Sequence, residues 1–593
     1  MRQFLRLFIC LSVVVTFLLT ACRNEPKLPS EPLKNEVVVR LSGDPENLNF
    51  LLASDASATE IFRYISAPMA QFNPDDYQLT PVMIKEMPQM QEITEGEFKG
   101  SIAFDFEILE EATWDNGTPI TGEDFLFTLK AVANPNYASP HRSFTSYINK
   151  VIIDENNPKK FKVYGRKNLL AKAVICNFEP MPKYVYDPDG LLNDFTLEAL
   201  KDKANAENLA KDEKLKAFAD KFQSPLHLSQ PAGVSYAGPY KLESWTTGQE
   251  VVLTKKKNWW GEKIAGDNPL LANNPDKITY KIVKDINAAV SLAKNGEIDV
   301  ISKIPWATFN PLKEDASIQE NFNYFTPQKI LYRYIGLNNN SPRLEDKRVR
   351  QALDYLFNRD QVFETVYFGV KNPTIGPIHP TKSYYNKDLT VRSFNVEKAK
   401  SLLAEAGWAD TDGNGVVDKV IDGEKVEMDI DFIYGSSYQD YVSLVAIFKA
   451  DAIKAGINII PSTIESQAYF KRLKARDFDA IINSRPWYPL PKNLGSSFHT
   501  RGPSNYGSFS NPEADSLMSV LQRTIDDSKL PPIYLRLQEI FHEEVPNIFI
   551  NTGIDRIIVN KKFDNVRVTA VSPHYYLNEF TVNAGVPVTS SNN

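Results

Sequence analysis

Between residues 426 and 464 a strand, a helix and a second strand follow one another with no hairpin turn between them. VEMDIDFIYG reads as a strand, VSLVAIFKADAIKAG as a helix that stops at Gly456, and INIIPSTI as a strand again. The helix has to carry the chain back across the sheet face, so the second strand returns parallel to the first. NPDKITYKIVKD (274–285), leading into INAAVSLAKNG, repeats the pattern. Parallel strands covered by helices, an α/β architecture, are therefore expected.

Other segments fit that frame. EVVVRLSGD (36–44) reads as an early strand. In FNVEKAKSLLAEAGW, Asn395 is placed to cap a helix whose Val396, Ala399, Leu403 and Ala406 share one face, and Gly407 to end it in the left-handed conformation. A more polar helical stretch is expected over 196–223. SIAFDFEI (101–108) alternates as a half-buried strand; EEATWDNGT then turns the chain, with Gly117 free to adopt positive φ, and Thr121 precedes Glu123 and Asp124 as a helix cap with acids behind it. Trp114 and the face of Phe125, Leu126 and Leu129 would pack under that turn, which makes the segment architectural.

At 593 residues the chain has the length of two or three packed lobes. With 42% hydrophobic and 24% charged residues it is neither a disordered chain nor a polytopic membrane protein. The N-terminus, MRQFLRLFICLSVVVTFLLTAC, joins Arg2 and Arg6 to an apolar run from Leu7 to Leu19 that is short for a membrane span, which is the form of a secretion signal. Leu19-Thr20-Ala21-Cys22 resembles a bacterial lipobox, so residues 1–21 are read as a lipoprotein signal, Cys22 as the lipidated residue and 22–35 as a polar, proline-containing tether. An ordinary cleaved signal is the alternative. Cys176 is then the one cysteine left in the folded body, which excludes an intramolecular disulfide and fits a small buried side chain better than a nucleophile. Removing the signal takes away two arginines and no acid from a chain already at net −7, so nucleic acid is excluded as a partner.

The segment Trp114-Asp115-Asn116-Gly117-Thr118-Pro119-Ile120-Thr121-Gly122-Glu123-Asp124-Phe125 closely resembles a hallmark of the family 5 solute-binding proteins, the oligopeptide and dipeptide receptors of ABC importers. The likeness recurs in order along the body: LSGDPENLNFLLASD (41–55), AGPYKLESWTTGQEVVLTKKKNWWG (237–261), NGEIDVISKIP (295–305), LNNNSPRLEDKRVRQALDYLFNRDQVFETVYFG (337–369) and GSFSNPEADSLMSVLQRTIDDSKLPPIYLRLQEIFHEEVPNIFI (507–550).

This resemblance implies a class II periplasmic-binding-protein fold: two lobes with mixed sheets plus an inserted subdomain. Lobe I would comprise 36–80, 230–295 and 541–593, the insert 81–229, and lobe II 296–540. It implies a monomeric receptor, lipid-anchored on the periplasmic or envelope face of a bacterial membrane, that shuts on a peptide or similar small amphipathic solute and passes it to ABC permease subunits. Peptide receptors of this kind follow a DFDA-like strand with a glycine, a tryptophan and an aspartate for the ligand's ammonium. Here FDAIINSRPWYPLPKNLGSS offers Arg485, Trp487 and Tyr488 and no acid. A carboxylate partner for Arg485, stacking on the aromatic pair, and plain packing all stay open. Ser54, Asp55 and Ala56, with Tyr438 and Asp440, occupy loops from which such sheets present ligand groups. Related receptors take sugars, metal chelates or haem, so a non-peptide solute is the alternative within the class.

No cofactor is required by this reading. In ADTDGNGVVDK, Asp410, Asp412, Asn414, the Val416 carbonyl and Asp418 occur in calcium-loop order with Gly415 at the sharp turn, but Ile421 stands where the bidentate glutamate belongs. A structural calcium ion and a metal-free Gly/Asp turn are both open. A secreted hydrolase is the competing class, and no catalytic motif assembles: His542-Glu543-Glu544 begins like a zinc-protease helix, yet Pro546 takes the second histidine's place, and Ser235 lacks a nucleophile-elbow spacing.

Overall fold

The computed structural model describes residues 34–583 apart from Asp267, 436–438 and 487–492. Cys22, Tyr438, Trp487 and Tyr488 lie outside the described residues. Among the described residues no helix is long and apolar enough to cross a membrane.

Two mixed sheets organise the chain. Across the first, seven strands run in the order Phe322–Phe325, Ile557–Asn560, Val300–Ile301, Glu36–Leu41, Lys277–Ile282, Glu250–Lys255, Tyr240–Thr246. The second has five, in the order Asn458–Ile464, Asp429–Gly435, Ala480–Pro486, Gln328–Leu337, Asn547–Ile554. Asp429–Gly435 pairs parallel with Asn458–Ile464, as the strand-helix-strand run requires, and the intervening helix Gln439–Ala452 is followed by Gly456 at φ 78°. Asn395 caps the Val396–Glu405 helix by accepting from the Lys398 N–H at 2.9 Å, and Gly407 leaves it at φ 83°.

The chain passes between the sheets twice. Phe322–Phe325 pairs in the first and Gln328–Leu337 in the second, so it crosses at Thr326–Pro327; Asn547–Ile554 and Ile557–Asn560 place the return at Asp555–Arg556. The Asp555 N–H donates to the Pro327 carbonyl at 2.9 Å, which ties the two crossings together. Both lie later in the chain than the 296 and 541 read from sequence, because Val300–Ile301 and Phe322–Phe325 still pair inside the first sheet.

A four-stranded sheet built from Gln91–Glu92, Ser101–Glu107, Lys160–Arg166 and Ile148–Ile153 occupies the insert. The insert has no separate core: one buried cluster runs from Val39 and Tyr240 of the first sheet to Phe104, Phe125 and Phe161 of the insert. The turn at 113–121 performs the structural task expected of it. Gly117 has φ 82°, the Asn116 carboxamide oxygen accepts from the Thr118 N–H at 3.0 Å, and Trp114 is buried. Thr121 and Asp124 form a reciprocal capping box on the helix Gly122–Ala133, with the Thr121 hydroxyl accepting from Glu123 N–H at 3.3 Å and the Asp124 carboxylate from Thr121 N–H at 3.0 Å. Gly238 is also explained, since a Cβ there would lie 2.5 Å from the Ile65 carbonyl carbon, a backbone atom that cannot swing aside.

The polar stretch 196–223 is several short helices rather than one. Asp202 and Asp212 interrupt it, each turning its carboxylate onto the next backbone N–H groups: Asp202 accepts from Ala204 at 2.9 Å, and Asp212 from Lys214 at 2.9 Å and Leu215 at 3.1 Å. A short acid that captures local N–H groups restarts a helix as readily as it continues one.

Candidate functional site

Strand direction decides where these sheets present side chains. Asp429–Gly435 runs parallel to Ala480–Pro486, which is antiparallel to Gln328–Leu337, so the carboxyl ends at Gly435 and Pro486 lie beside the outgoing crossing. Glu36–Leu41 runs parallel to Lys277–Ile282 and Val300–Ile301, and Ile301 pairs with Ile558 beside the return. Both sheets therefore aim their carboxyl ends at the crossings, the position from which open α/β sheets hold ligands.

Ionisable groups collect at the crossings. Asp555, fully buried, accepts from its neighbour Arg556 N–H at 2.9 Å and from Lys303 N–H at 3.2 Å, and it faces Lys329 Nζ at 3.4 Å and His574 Nε2 at 3.8 Å. Burial by itself raises its pKa, but Lys329, His574 and Arg556 outweigh that and hold the carboxyl below its ordinary value. Burial pushes His574 down to about 4 against the attraction of Asp555, so the imidazole is neutral near pH 7. Glu60 is buried next to this group, accepting from the Tyr575 hydroxyl with Lys303 Nζ at 3.7 Å; burial raises its pKa in spite of both.

A second group lies on the other side of the crossing strand. Arg333 stacks 5.7 Å from the centre of the Tyr367 ring, and Arg556 lies 4.8 Å from that of Trp306. Asp440, in the first turn of the Gln439–Ala452 helix, acts electrostatically on both guanidinium groups. Burial works against the charge of Arg333, yet Tyr367, Tyr441 and Asp440 together raise its pKa. Asp440, expected from sequence in a loop that presents ligand groups, lies in that first helical turn and makes no ion pair within 4.0 Å among the described residues. Sequence reading passed over Asp555, Arg556, Lys329 and Arg333; the available signal was an Asp-Arg pair standing between the apolar runs NIFINTGI and IIVN.

The other expected residues are differently engaged. Ser54 and Ala56 are exposed at the start of the helix Ala56–Ile65, on the carboxyl side of Glu36–Leu41. Asp55 caps that helix, accepting from Ser57 N–H at 3.0 Å and Ala58 N–H at 2.9 Å, and its second oxygen accepts from Glu46 N–H at 3.1 Å, so its carboxylate is committed to the backbone. Arg485 donates to the Tyr334 hydroxyl at 3.2 Å and the Ser504 carbonyl at 2.7 Å. It pairs across the strands with Tyr332, on the opposite sheet face from Arg333, because neighbouring strand residues alternate faces. Arg485 is thus hydrogen-bonded within the protein.

A family model, "Bacterial extracellular solute-binding proteins, family 5 Middle", matches residues 99–506. The chain belongs to this family. A solute-binding protein of family 5 acts outside the cytoplasm, and the two-lobed α/β architecture with crossings between the sheets agrees with that membership. Among its relatives is the oligopeptide-binding protein AppA of Bacillus subtilis, 24% identical over 555 residues, covering 91% of each chain. The solved structure of AppA in complex with a nonapeptide superposes with a TM-score of 0.67 at 20% identity over 92% of this chain and 99% of that one. NikA from Brucella suis in complex with Fe(III)-EDTA has the same fold, with a TM-score of 0.71 at 18% identity over 92% of this chain and 100% of that one.

Away from the crossings, this solute-binding protein brings Asp410, Asp412 and Asp418 together, with a carboxylate oxygen of each within 4.8 Å of the others. The oxygens suit calcium in type. They are, however, already used: Asp410 accepts from the Gly413, Asn414 and Gly415 N–H groups, Asp418 from Thr411, and Lys425 pairs with Asp412 and reaches Asp418 at 3.4 Å. Asn414 bonds Glu427, and Val416 donates its N–H to Asn414. The segment after the loop is a hairpin, Asp418–Ile421 with Glu424–Glu427. Cys176 is buried in a short helix, its thiol pushed up to about 12 by burial, and so is inert as a nucleophile. His542 Nε2 lies 2.9 Å from the Thr390 carbonyl.

Proposed function

We propose that the protein is an extracytoplasmic receptor that captures oligopeptides or a similar amphipathic solute by closing its two lobes, and hands the unaltered solute to an ABC importer. The observation that carries this reading is the meeting of two sets of strand carboxyl ends at a pair of crossings bonded by Asp555 and Pro327, in a chain of the family 5 solute-binding proteins. Closure about so narrow a connection removes a solute from water and strengthens each polar contact to it. The names of the relatives support a peptide, since AppA is called an oligopeptide-binding protein. Fe(III)-EDTA in NikA and the name of a haem-binding relative from Haemophilus influenzae, 28% identical over 54% of this chain, keep a non-peptide solute as the second reading.

Anchoring through Cys22 and a monomeric receptor without catalytic activity complete the proposal. The test is a thermal-shift screen with peptides of two to nine residues, haem and metal chelates, followed by mass spectrometry of the mixture. Stabilisation with the added compound recovered intact supports a receptor. Cleaved product sinks it.

A further inference from the structure

Leu169 and Ile525 pack across the boundary between the insert and the second lobe, each against the other's core. Leu169 stands in the insert, at the turn between the strand Lys160–Arg166 and the short helix Ala171–Cys176. Its side chain, 8% exposed, nevertheless belongs to a buried cluster otherwise built from the second lobe, with Met518 and Leu521 of the helix Pro512–Arg523 and Leu537 of Leu530–Glu544; Leu170 packs on the same cluster. Ile525, in the loop that leaves the first of these helices, packs in the opposite direction, onto the cluster shared by the insert and the first sheet. A backbone bond accompanies the exchange: the Leu169 N–H donates to the Gln522 carbonyl at 2.9 Å. Asn168 prepares this bond, since its carboxamide oxygen accepts from Leu170 N–H at 2.9 Å and its carbonyl from Ala171 N–H at 3.0 Å, which leaves the Leu169 N–H to face outward. Gln522 is the last residue but one of its helix, where carbonyls lack a partner within the helix, so the insert supplies a donor that the second lobe does not.

The insert shares one buried core with the first sheet, so it moves with the first lobe. Opening of the lobes therefore has to break the Leu169 contact. Breaking it returns Leu169 and Ile525 to water and takes the donor from the Gln522 carbonyl, and the apolar exposure is the larger loss. Lys382 of the second lobe, with Nζ 6.0 Å from the centre of the Tyr77 ring of the first, marks another place where the two bodies touch away from the crossings. Building on the receptor reading above, we propose that the insert is a closure latch: Leu169 and Leu170 seat on the end of the helix Pro512–Arg523, Ile525 seats in return, and together they hold the second lobe shut. This gives the insert a task of its own. A latch made of protein groups alone sets the shut population for any solute, and apparent affinity falls in proportion as that population falls.

The experiment uses the full-length chain carrying Leu169→Cys and Gln522→Cys, two positions whose backbone bond brings them within disulfide reach in the shut form. Under oxidised glutathione these cysteines should join, as read by mass spectrometry of digests over time; Cys176 is buried and stays out of the exchange. Adding Ile525→Ser should slow the joining about ten-fold through the loss of one apolar side chain from the contact, and Leu170→Ser should act in the same direction from the other side. Val420→Ser, on a hairpin where the side chain is 67% exposed, is the control and should leave the rate unchanged. Absence of the disulfide, a rate that Ile525→Ser and Leu170→Ser leave alone, or one that the control slows equally overturns the latch. The receptor reading is separated by adding trialanine: a peptide that shuts the lobes speeds the joining, whereas a rate unmoved by peptide counts against peptide capture and leaves the latch to be judged on Ile525→Ser and Leu170→Ser.

Discussion

Asp555 and Lys329 face each other at 3.4 Å across the two crossings, the carboxylate fully buried on the return and the ammonium on the outgoing strand. Asp555→Asn would leave Lys329 without its carboxylate in a site where burial already lowers its pKa. We expect a loss of about 3 kcal/mol in urea-unfolding stability, partly recovered by adding Lys329→Met. An unchanged midpoint in the single variant would refute the pairing as a source of stability.

The neighbouring His574 gives a pH dependence with a definite sign. Its folded pKa of about 4 lies below the unfolded value of about 6.5, so between these values the unfolded chain binds the proton that the folded one refuses. Stability should therefore fall as pH drops from about 6.5 to about 4, by roughly 3 kcal/mol from this group. Asp555, also depressed, adds a loss at still lower pH. His574→Asn, which tolerates the φ of 80° at this position, should flatten the melting-temperature profile over that window.

At the 113–124 turn the prediction is structural. Thr121→Ala removes one side of the capping box and should cost about 1 kcal/mol. Asp124→Ala should cost more, about 2–3 kcal/mol, because this buried carboxylate accepts from both Thr121 N–H and Lys183 N–H. Equal costs measured by chemical denaturation would contradict the assignment.

In the 410–418 loop, Lys425 stands where a cation would sit. Lys425→Met should raise calcium affinity at least ten-fold, seen as a melting-temperature gain on adding calcium that the parent protein shows weakly. A variant as indifferent to calcium as its parent would mark the loop as a metal-free turn.

Arg485 and Asp55 are candidates for ligand contact, and both hydrogen-bond within the protein. Arg485→Met should lower the stability of the solute-free protein by about 1–2 kcal/mol through loss of the Tyr334 and Ser504 bonds, and Asp55→Ala by about 1 kcal/mol through loss of the helix cap. Solute-free melting curves that match the parent would return these residues to the list of ligand groups.

Much of the fold was legible because its signals are local. The parallel pair 429–435 and 458–464, the cap at Asn395 and the box at Thr121 and Asp124 each follow from residues close in sequence. The break-up of 196–223 was missed although Asp202 and Asp212 were visible, since whether such an acid caps or continues a helix is settled by packing. The crossings were misplaced for a related reason: the two-residue strand Val300–Ile301 has too little pattern of its own to declare which sheet it joins.

The amino-acid order by itself determined the α/β class and the family resemblance, because periodicity, caps and motif order are properties of neighbouring residues. Only the tertiary structure decided which charged groups meet at the crossings. Lys329 meets Asp555 from a strand far earlier in the chain, and that proximity exists only once both sheets have formed and their carboxyl ends have been brought together.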